Sequence, residues 1–424
     1  MPYKTLIKYG FSGRNPPPSH RQAGSSTIKW CYALITITMM NYLPRTVYEA
    51  EHEEFRRTFR HWLESAVVPN HEQWEHDGIV PRSAWEDAGA RGFLGLSVPE
   101  TYGGGGTDDF RFAAVMSEEI GMTGVVGGAH GFTVHNDIVL PYLLSLANDD
   151  QKQRWLPGMV SGKLIGALAI TEPNTGSDMG GIKTTAIRDG DEYVVNGSKT
   201  FISNGINSDV IVTAVRTAPE LGKKGISLIV LERGMAGFER GRNLDKVGKH
   251  SQDTSELFFT DVRVPVGNLL GLEGDGMKYL MHNLAQERLS IAVDAVAVAV
   301  AALNWTQQYT SERTAFGQNL SQFQNTKFVM AELFSEVQIG QVYVDRCIEL
   351  HNKKELDATQ AAVAKYWLTE MQNRVVDRCV QLHGGYGYMR EYPIARAWID
   401  SRIQTIYGGT TEIMKEVISR SFDN

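Results

Sequence analysis

The chain has 424 residues, enough for two or three domains sharing a large core. Its 42% hydrophobic and 21% charged content is ordinary for a globular protein, and a net charge of −7 argues against a generally basic nucleic-acid surface. Cys31, Cys347 and Cys379 form no CxxC pair and no even framework, so a reduced compartment is the natural reading and no cysteine-held metal is expected. No uninterrupted apolar run reaches the ~18–20 residues of a membrane span. The longest, 289–303, carries Asp294 and is rich in Ala and Val, which suits a closely packed helix.

The first forty-odd residues stand apart. No Asp or Glu precedes Glu49, while Lys4, Lys8, Arg14, Arg21, Lys29 and Arg45 are basic. Pro16-Pro17-Pro18 and Gly24-Ser25-Ser26 block regular structure. Such a segment is either a mitochondrial transit sequence or an upstream extension with the functional start near Met39 or Met40. Three consecutive prolines spoil an amphipathic helix and favour the extension, so residues 1–44 are set aside as unstructured or non-native.

A helical domain is expected over 45–165. Phe55, Phe59 and Trp62 recur at helical spacing, and Pro69 is expected to close that helix. Pro81 opens another helix where its missing N–H is tolerated; Gly103 to Gly106 form a turn, and Thr107-Asp108-Asp109 restarts a helix as a cap. Over 166–270 the period shortens, and runs at 193–199, 210–215, 226–231 and 257–259 read as short strands of a small barrel or sandwich. Over 271–424 long helical runs return, with Ala- and Val-rich stretches at 291–303 and 358–366 that allow close packing in a bundle.

Several segments carry candidate chemistry. Leu168-Ala-Ile-Thr-Glu-Pro-Asn-Thr-Gly-Ser177 is rich in amide and hydroxyl donors, which stabilise developing negative charge; by itself it is also an ordinary polar turn. Lys199-Thr-Phe-Ile-Ser-Asn-Gly205 follows one strand later and ends on Asn-Gly hairpin chemistry. Glu312-Arg-Thr-Ala-Phe-Gly317, with Gln324, offers a planar cation suited to phosphate oxygens, and Gln381-Leu-His-Gly-Gly385 offers glycines that let a ligand approach the backbone. The last is Arg402-Ile-Gln-Thr-Ile-Tyr-Gly-Gly-Thr-Thr-Glu-Ile-Met414.

Together these segments resemble the acyl-CoA dehydrogenases, flavoenzymes that draw a proton and a hydride from adjacent carbons of an acyl thioester. The resemblance runs from about Tyr48 to Ser421 and fits the long-chain branch best. It implies an α+β fold made of an N-terminal helical domain, a middle β-barrel domain and a C-terminal four-helix bundle. It also implies FAD as cofactor, with medium- or long-chain acyl-CoA oxidised to trans-2-enoyl-CoA in fatty-acid β-oxidation. Electrons would pass to an electron-transfer flavoprotein, and the assembly would be a homo-oligomer, usually a tetramer. The compartment would be the bacterial cytoplasm or, alternatively, the mitochondrial matrix.

Carried over residue by residue, the resemblance gives Thr171 a hydroxyl role at the flavin pyrimidine, beside Leu168 and Ile170. Ser177 lies near the FAD pyrophosphate and the substrate; Phe201 covers the flavin where relatives often have Trp, with Ile202 beside it; Ser203 approaches the hydride acceptor N5. Arg313, Phe316, Gln324, Gln381, Gly384 and Gly385 serve the FAD of a neighbouring subunit, and Thr410 and Glu412 lie against FAD. Arg288 and Gly409 fall to the CoA substrate, and His383 reads as structural.

Most members read Tyr-Glu-Gly-Thr where this chain has Tyr407-Gly408-Gly409-Thr410, and that Glu is the catalytic base. With Gly408 there, either the chain is an inactive relative or the base sits elsewhere. The Gly408 N–H can still hold the thioester carbonyl. The long-chain and isovaleryl branches move the Glu to a distant helix, and Glu287 in Gln286-Glu287-Arg288-Leu289 offers that replacement, 408 − 287 = 121 residues earlier. Glu412 is the rival base. An isovaleryl-like or other branched-chain dehydrogenase, an acyl-CoA oxidase and a flavin-binding scaffold without chemistry stand as alternatives.

Overall fold

The computed structural model of the protein describes residues 40–423; the segment before them, with Cys31 and most of the extension expected there, lies outside the described residues. The N-terminal part is helical. α1 (Ala50–Trp62) buries Phe59 and Trp62, and a π turn over Leu63–Val67 carries the chain into α2 (Val68–Asp77). Pro69 therefore opens a helix rather than closing one. The widened turn shifts the hydrogen-bond register, and the proline falls in the first turn of α2, where its missing N–H costs nothing. α3 (Arg82–Ala90) starts directly after Pro81. α4 (Phe110–Thr123) is capped by Asp109, whose carboxylate accepts the Arg111 N–H at 2.9 Å. α5 (Val126–Thr133), a second π turn (Val134–Val139), α6 (Leu140–Leu146) and α7 (Asp149–Val160) complete this part.

The middle of the chain forms an eight-stranded mixed sheet. Its strands are β1 (Gly166–Ala169), β2 (Thr185–Asp189), β3 (Glu192–Ser203), β4 (Val210–Arg216), β5 (Ile226–Glu232), β6 (Phe238–Asn243), β7 (Thr254–Pro265) and β8 (Leu269–Leu270). The order is β6-β7-β3-β2-β4-β5-β8, with β1 parallel to β4. β4 reads as a continuous apolar run because both its faces are covered. Val210, Val212 and Ala214 pack with Leu140, Tyr142 and Trp155 of the helices, while Ile211 and Val215 pack with Val195, Leu257 and Val262 inside the sheet. The Asn204-Gly205 turn exists, with Asn204 at φ +61°, yet it is not a hairpin. It delivers the chain to β4, which pairs with β1, β2 and β5 rather than back onto β3.

The C-terminal part begins with α8 (Gly276–Glu312), 37 residues long. By length and composition α8 could cross a membrane, but 94% of its most apolar window is buried inside the protein. Its packing against α4 depends on Gly121, where an added Cβ would stand 2.9 Å from that of Ala297. A short hairpin of β9 (Thr314–Ala315) and β10 (Gln318–Asn319) leads to α9 (Gln324–Asn352) and α10 (Ala358–His383), then α11 (Pro393–Ser401) and α12 (Thr411–Ser419). α8 packs against α9, α10 and α11, and Cys347 and Cys379 are buried, free thiols.

Candidate active site

Glu287 projects from the first half of α8 into a buried corner and is 7% exposed. The hydroxyl of fully buried Tyr142, from α6, donates to its Oε1 at 2.9 Å. Burial pushes the Glu287 carboxyl up to about 7, against the lowering pull of the Tyr142 hydrogen bond and the Arg288 charge. A carboxyl poised near neutrality can take a proton that an ordinary carboxylate is too weak a base to hold. Arg288 is itself buried, its Nε has no hydrogen-bond partner among the described residues, and burial lowers its pKa. A second carboxyl, Asp137 in the π turn before α6, is also pushed by burial to about 7 and accepts the Ser290 hydroxyl at 3.1 Å.

The turn at 408–409 presents Gly408 to the same stretch of α8. Gly408 has φ +64°, and a Cβ built there would overlap the Cδ1 of Ile291, one helical turn beyond Glu287. Ile291 fills the space that a side chain at 408 would need. Gly409 has φ +98°, and its Cβ would stand 2.5 Å from Met414 Cε. Its carbonyl accepts from Lys365 Nζ at 2.5 Å; this lysine is fully buried on α10, and burial together with Arg288 brings it down to about 8. On the other side, Lys249 Nζ donates to the Tyr407 hydroxyl at 3.1 Å, and that hydroxyl donates to Gln404 Oε1 at 3.0 Å. Two buried lysines thus grip the turn and fix the direction of the Gly408 N–H. The rival Glu412 is exposed, and its own backbone N–H, the Thr410 hydroxyl and Lys415 hold its carboxyl below the usual range. That makes it the weaker base of the two.

The segments assigned to the flavin lie where β1 meets the end of β3. Lys199, fully buried, donates to the Ile170 carbonyl at 3.0 Å and to Glu172 at 2.9 Å, while the Thr200 N–H holds the Thr171 carbonyl at 2.9 Å. The loop's backbone is thereby registered on β3. β3 is bulged between Lys199 and Ile202, and the bulge turns Phe201 outward, 69% exposed at φ +59°. Ile202 points into the core, Leu168 and Ile170 are half-buried, and Ser177 is exposed. Among the described residues the hydroxyls of Thr171 and Ser203 have no hydrogen-bond partner. Unpaired hydroxyls beside an uncovered aromatic ring at strained backbone fit a flat, polar-edged cofactor such as a flavin.

The remaining assigned residues gather at one end of the helical bundle. Arg313 follows α8 and lies 5.7 Å from the ring centre of Tyr386, next to Gly384 and Gly385, which both have open space where a Cβ would stand. Phe316 is 96% exposed at φ +51°, with its ring 6.3 Å from that of Phe323, the residue before Gln324. Gln381 is exposed too, whereas His383 is buried, stacked on Tyr309 and bonded to the Cys379 carbonyl at 2.8 Å. Among the described residues no hydrogen bond, ion pair or ring contact joins this patch to the Thr171–Phe201 edge. Tyr142, Asp137, Lys249 and Lys365 escaped sequence reasoning. Lys365 left the clearest trace, a lone cation directly after the apolar run Ala361-Ala-Val-Ala364.

Family models match the chain in the same order as these three parts: the acyl-CoA dehydrogenase N-terminal domain over residues 49–163, its middle domain over 167–262 and its C-terminal domain over 274–422. The chain belongs to the acyl-CoA dehydrogenase family. Within it, the chain is 46% identical over 378 residues to the mitochondrial long-chain specific acyl-CoA dehydrogenase of Sus scrofa, covering 89% of this chain and 87% of that one. The crystal structure of an acyl-CoA dehydrogenase from Geobacillus kaustophilus superposes with a TM-score of 0.88 at 48% identity, over 90% of this chain and 100% of that one. A glutaryl-CoA dehydrogenase from Mycobacterium smegmatis in complex with FADH2 gives 0.81 at 25% identity, over 89% and 95%.

Proposed function

We propose that this protein oxidises acyl-CoA thioesters of medium or long chain to trans-2-enoyl-CoA, with Glu287 as the base that removes the α-proton. The observation that carries this reading is the coupled geometry of α8 and the C-terminal turn. Glu287 is buried and raised to about 7, and one turn further on Ile291 fills the place of a side chain at 408. FAD, when bound, supplies the acceptor for the β-hydrogen as hydride. The chain's own residues do the rest. Thr171 and Ser203 present hydroxyls to the cofactor's polar edge, with Leu168, Ile170 and Ile202 behind them and Phe201 as cover. The Gly408 N–H, held between Lys249 and Lys365, binds the thioester carbonyl more tightly as enolate charge develops. Arg288 and Ser177 serve the CoA thioester, and Gly409, with Thr410 and Glu412, closes the pocket.

The exposed patch of Arg313, Phe316, Gln324, Gln381, Gly384 and Gly385 serves the FAD of a second copy, so the working unit is a homo-oligomer, a tetramer in our reading. Electrons leave to an electron-transfer flavoprotein, in the bacterial cytoplasm or the mitochondrial matrix. Glu287→Gln tests the assignment. The variant is expected to keep its fold and yellow flavin and to lose about 10²–10⁴-fold in the rate of anaerobic flavin reduction by acyl-CoA. Near wild-type reduction in Glu287→Gln, with Glu412→Gln inactive, would refute it.

A further inference from the structure

Beyond the Gly408–Ile291 contact lies a small chamber between α4, α5 and α8. Ile120, Ile138 and Ile291 form its apolar sides and most of its surface is apolar, while Ser117, His130, Thr133, Ser290, Asp294 and Tyr407 bring polar groups to the remainder. Its free volume is about 20 Å³, room for about one water-sized group. Some of these polar atoms satisfy one another. Gln404 donates to Asp294, Lys249 Nζ stands 4.0 Å from Asp294, and Ser290 donates to Asp137. Others do not. Among the described residues the Ser117 hydroxyl has no hydrogen-bond partner, and the His130 ring has one marginal contact, 3.5 Å from Nδ1 to the Thr133 hydroxyl. Burial and the nearby Lys249 charge keep His130 neutral, so its ring offers one donor and one acceptor. His130 lies face to face with Tyr407, 5.8 Å between ring centres, which fixes the ring at the chamber wall.

An enclosed space of this size, with an unpaired hydroxyl and an unpaired imidazole nitrogen, is matched to one oxygen atom with hydrogen-bonding capacity. A plain hydrocarbon tail placed there would leave both groups desolvated and unpaired. Ser290, Ile291 and Asp294 follow Glu287 by three, four and seven residues, about 5–10 Å along the helix. With C–C bonds of about 1.5 Å, an acyl chain covers that span in roughly four to eight bonds. We propose that the chamber receives a hydroxyl group carried on the acyl chain, so that the preferred substrates are hydroxylated acyl-CoA thioesters with the oxygen roughly four to eight bonds beyond the α-carbon. This rests on Glu287 being the base and on acyl-CoA being the substrate class.

The test uses the flavin-loaded enzyme, anaerobic single-turnover flavin reduction, and calorimetric binding of the matching enoyl-CoA products. The probes are decanoyl-CoA and decanoyl-CoAs hydroxylated singly at carbons 5 to 9. One hydroxylated isomer is expected to exceed decanoyl-CoA by about tenfold or more in kcat/KM, with its product bound correspondingly tighter. Ser117→Ala, a change small enough to leave the fold intact, is expected to remove most of that preference, and His130→Leu to reverse it in favour of decanoyl-CoA. Decanoyl-CoA preferred over every isomer, with Ser117→Ala unchanged in its ranking, would overturn the proposal and leave the chamber to water. Failure of every acyl-CoA to bleach the flavin would instead overturn the reading of the enzyme itself.

Discussion

The corner around Glu287 and the two aromatic edges around Phe201 and Phe316 are built on opposite plans. In the corner a carboxyl is buried, bonded to the Tyr142 hydroxyl and beside the Arg288 charge, and the facing glycine turn is tied down by two buried lysines. At the edges, large aromatic rings stand 69% and 96% exposed on backbone held at positive φ. Apolar rings left in water at a cost in backbone strain are positions whose partner comes from outside the chain. The difference teaches which half of the site one chain completes by itself. On the proposed reading, proton removal is set up within a single subunit, while FAD and a second copy would complete the cofactor's surroundings.

Removing Arg313 probes the open half. Arg313→Ala is expected to weaken FAD binding by about 10²-fold, the usual scale for losing a charged partner of phosphate, and to loosen the oligomer with it. Flavin content and elution volume on a sizing column check this. A variant that stays fully flavinated and fully assembled would break the comparison, because the patch would then serve nothing beyond its own subunit.

The closed half is sharpened by pH. Glu287 must be ionised to act, so flavin reduction is expected to rise with pH through about 7. The Tyr142 hydroxyl stabilises the ionised form; Tyr142→Phe removes it, raises the carboxyl further and moves the rising limb to higher pH by about one unit, about tenfold in rate on the limb. A limb unmoved in Tyr142→Phe would mean that another group titrates.

A smaller effect concerns stability. Glu287 is raised in the folded chain from an ordinary value near 4.5 to about 7, so the native state holds the extra proton between those values and stability falls as pH rises across that window. Glu287→Gln has no such loss. Its melting temperature is expected to match wild type at pH 4.5 and to exceed it by a few degrees at pH 8. Equal melting temperatures at both pH values would show that the corner does not disfavour the charge.

Much of this architecture was legible in the residues. The apolar run of β4, the Asp109 cap and the small-residue face of α8 follow from periodicity and side-chain volume. Pro69 and Asn204-Gly205 misled because a π turn and a strand crossover are decided by tertiary packing, which local pattern does not encode. Glu287 was singled out by resemblance alone: 121 residues separate it from Gly408, and the fold brings Gly408 against Ile291, one helical turn from it. Tyr142, Asp137 and Lys365 were hidden for a related reason. Their partners lie on other elements, Glu287 for Tyr142, Ser290 for Asp137 and the Gly409 carbonyl for Lys365, so local pattern alone assigns them no role.

The relocation of the base is tested most directly by moving it back. Glu287→Gly with Gly408→Glu restores the usual placement in sequence, but Ile291 blocks the new side chain and position 408 sits at φ +64°. The double variant is therefore expected to remain nearly inactive, and adding Ile291→Ala to recover part of the lost single-turnover flavin reduction. Recovery should be incomplete, since a misplacement of ~1 Å can cost about 10²-fold. A triple variant that binds FAD and enoyl-CoA normally, yet reduces no flavin above the Glu287→Gly background, would contradict the account, because positions 287 and 408 would then not face the same α-hydrogen.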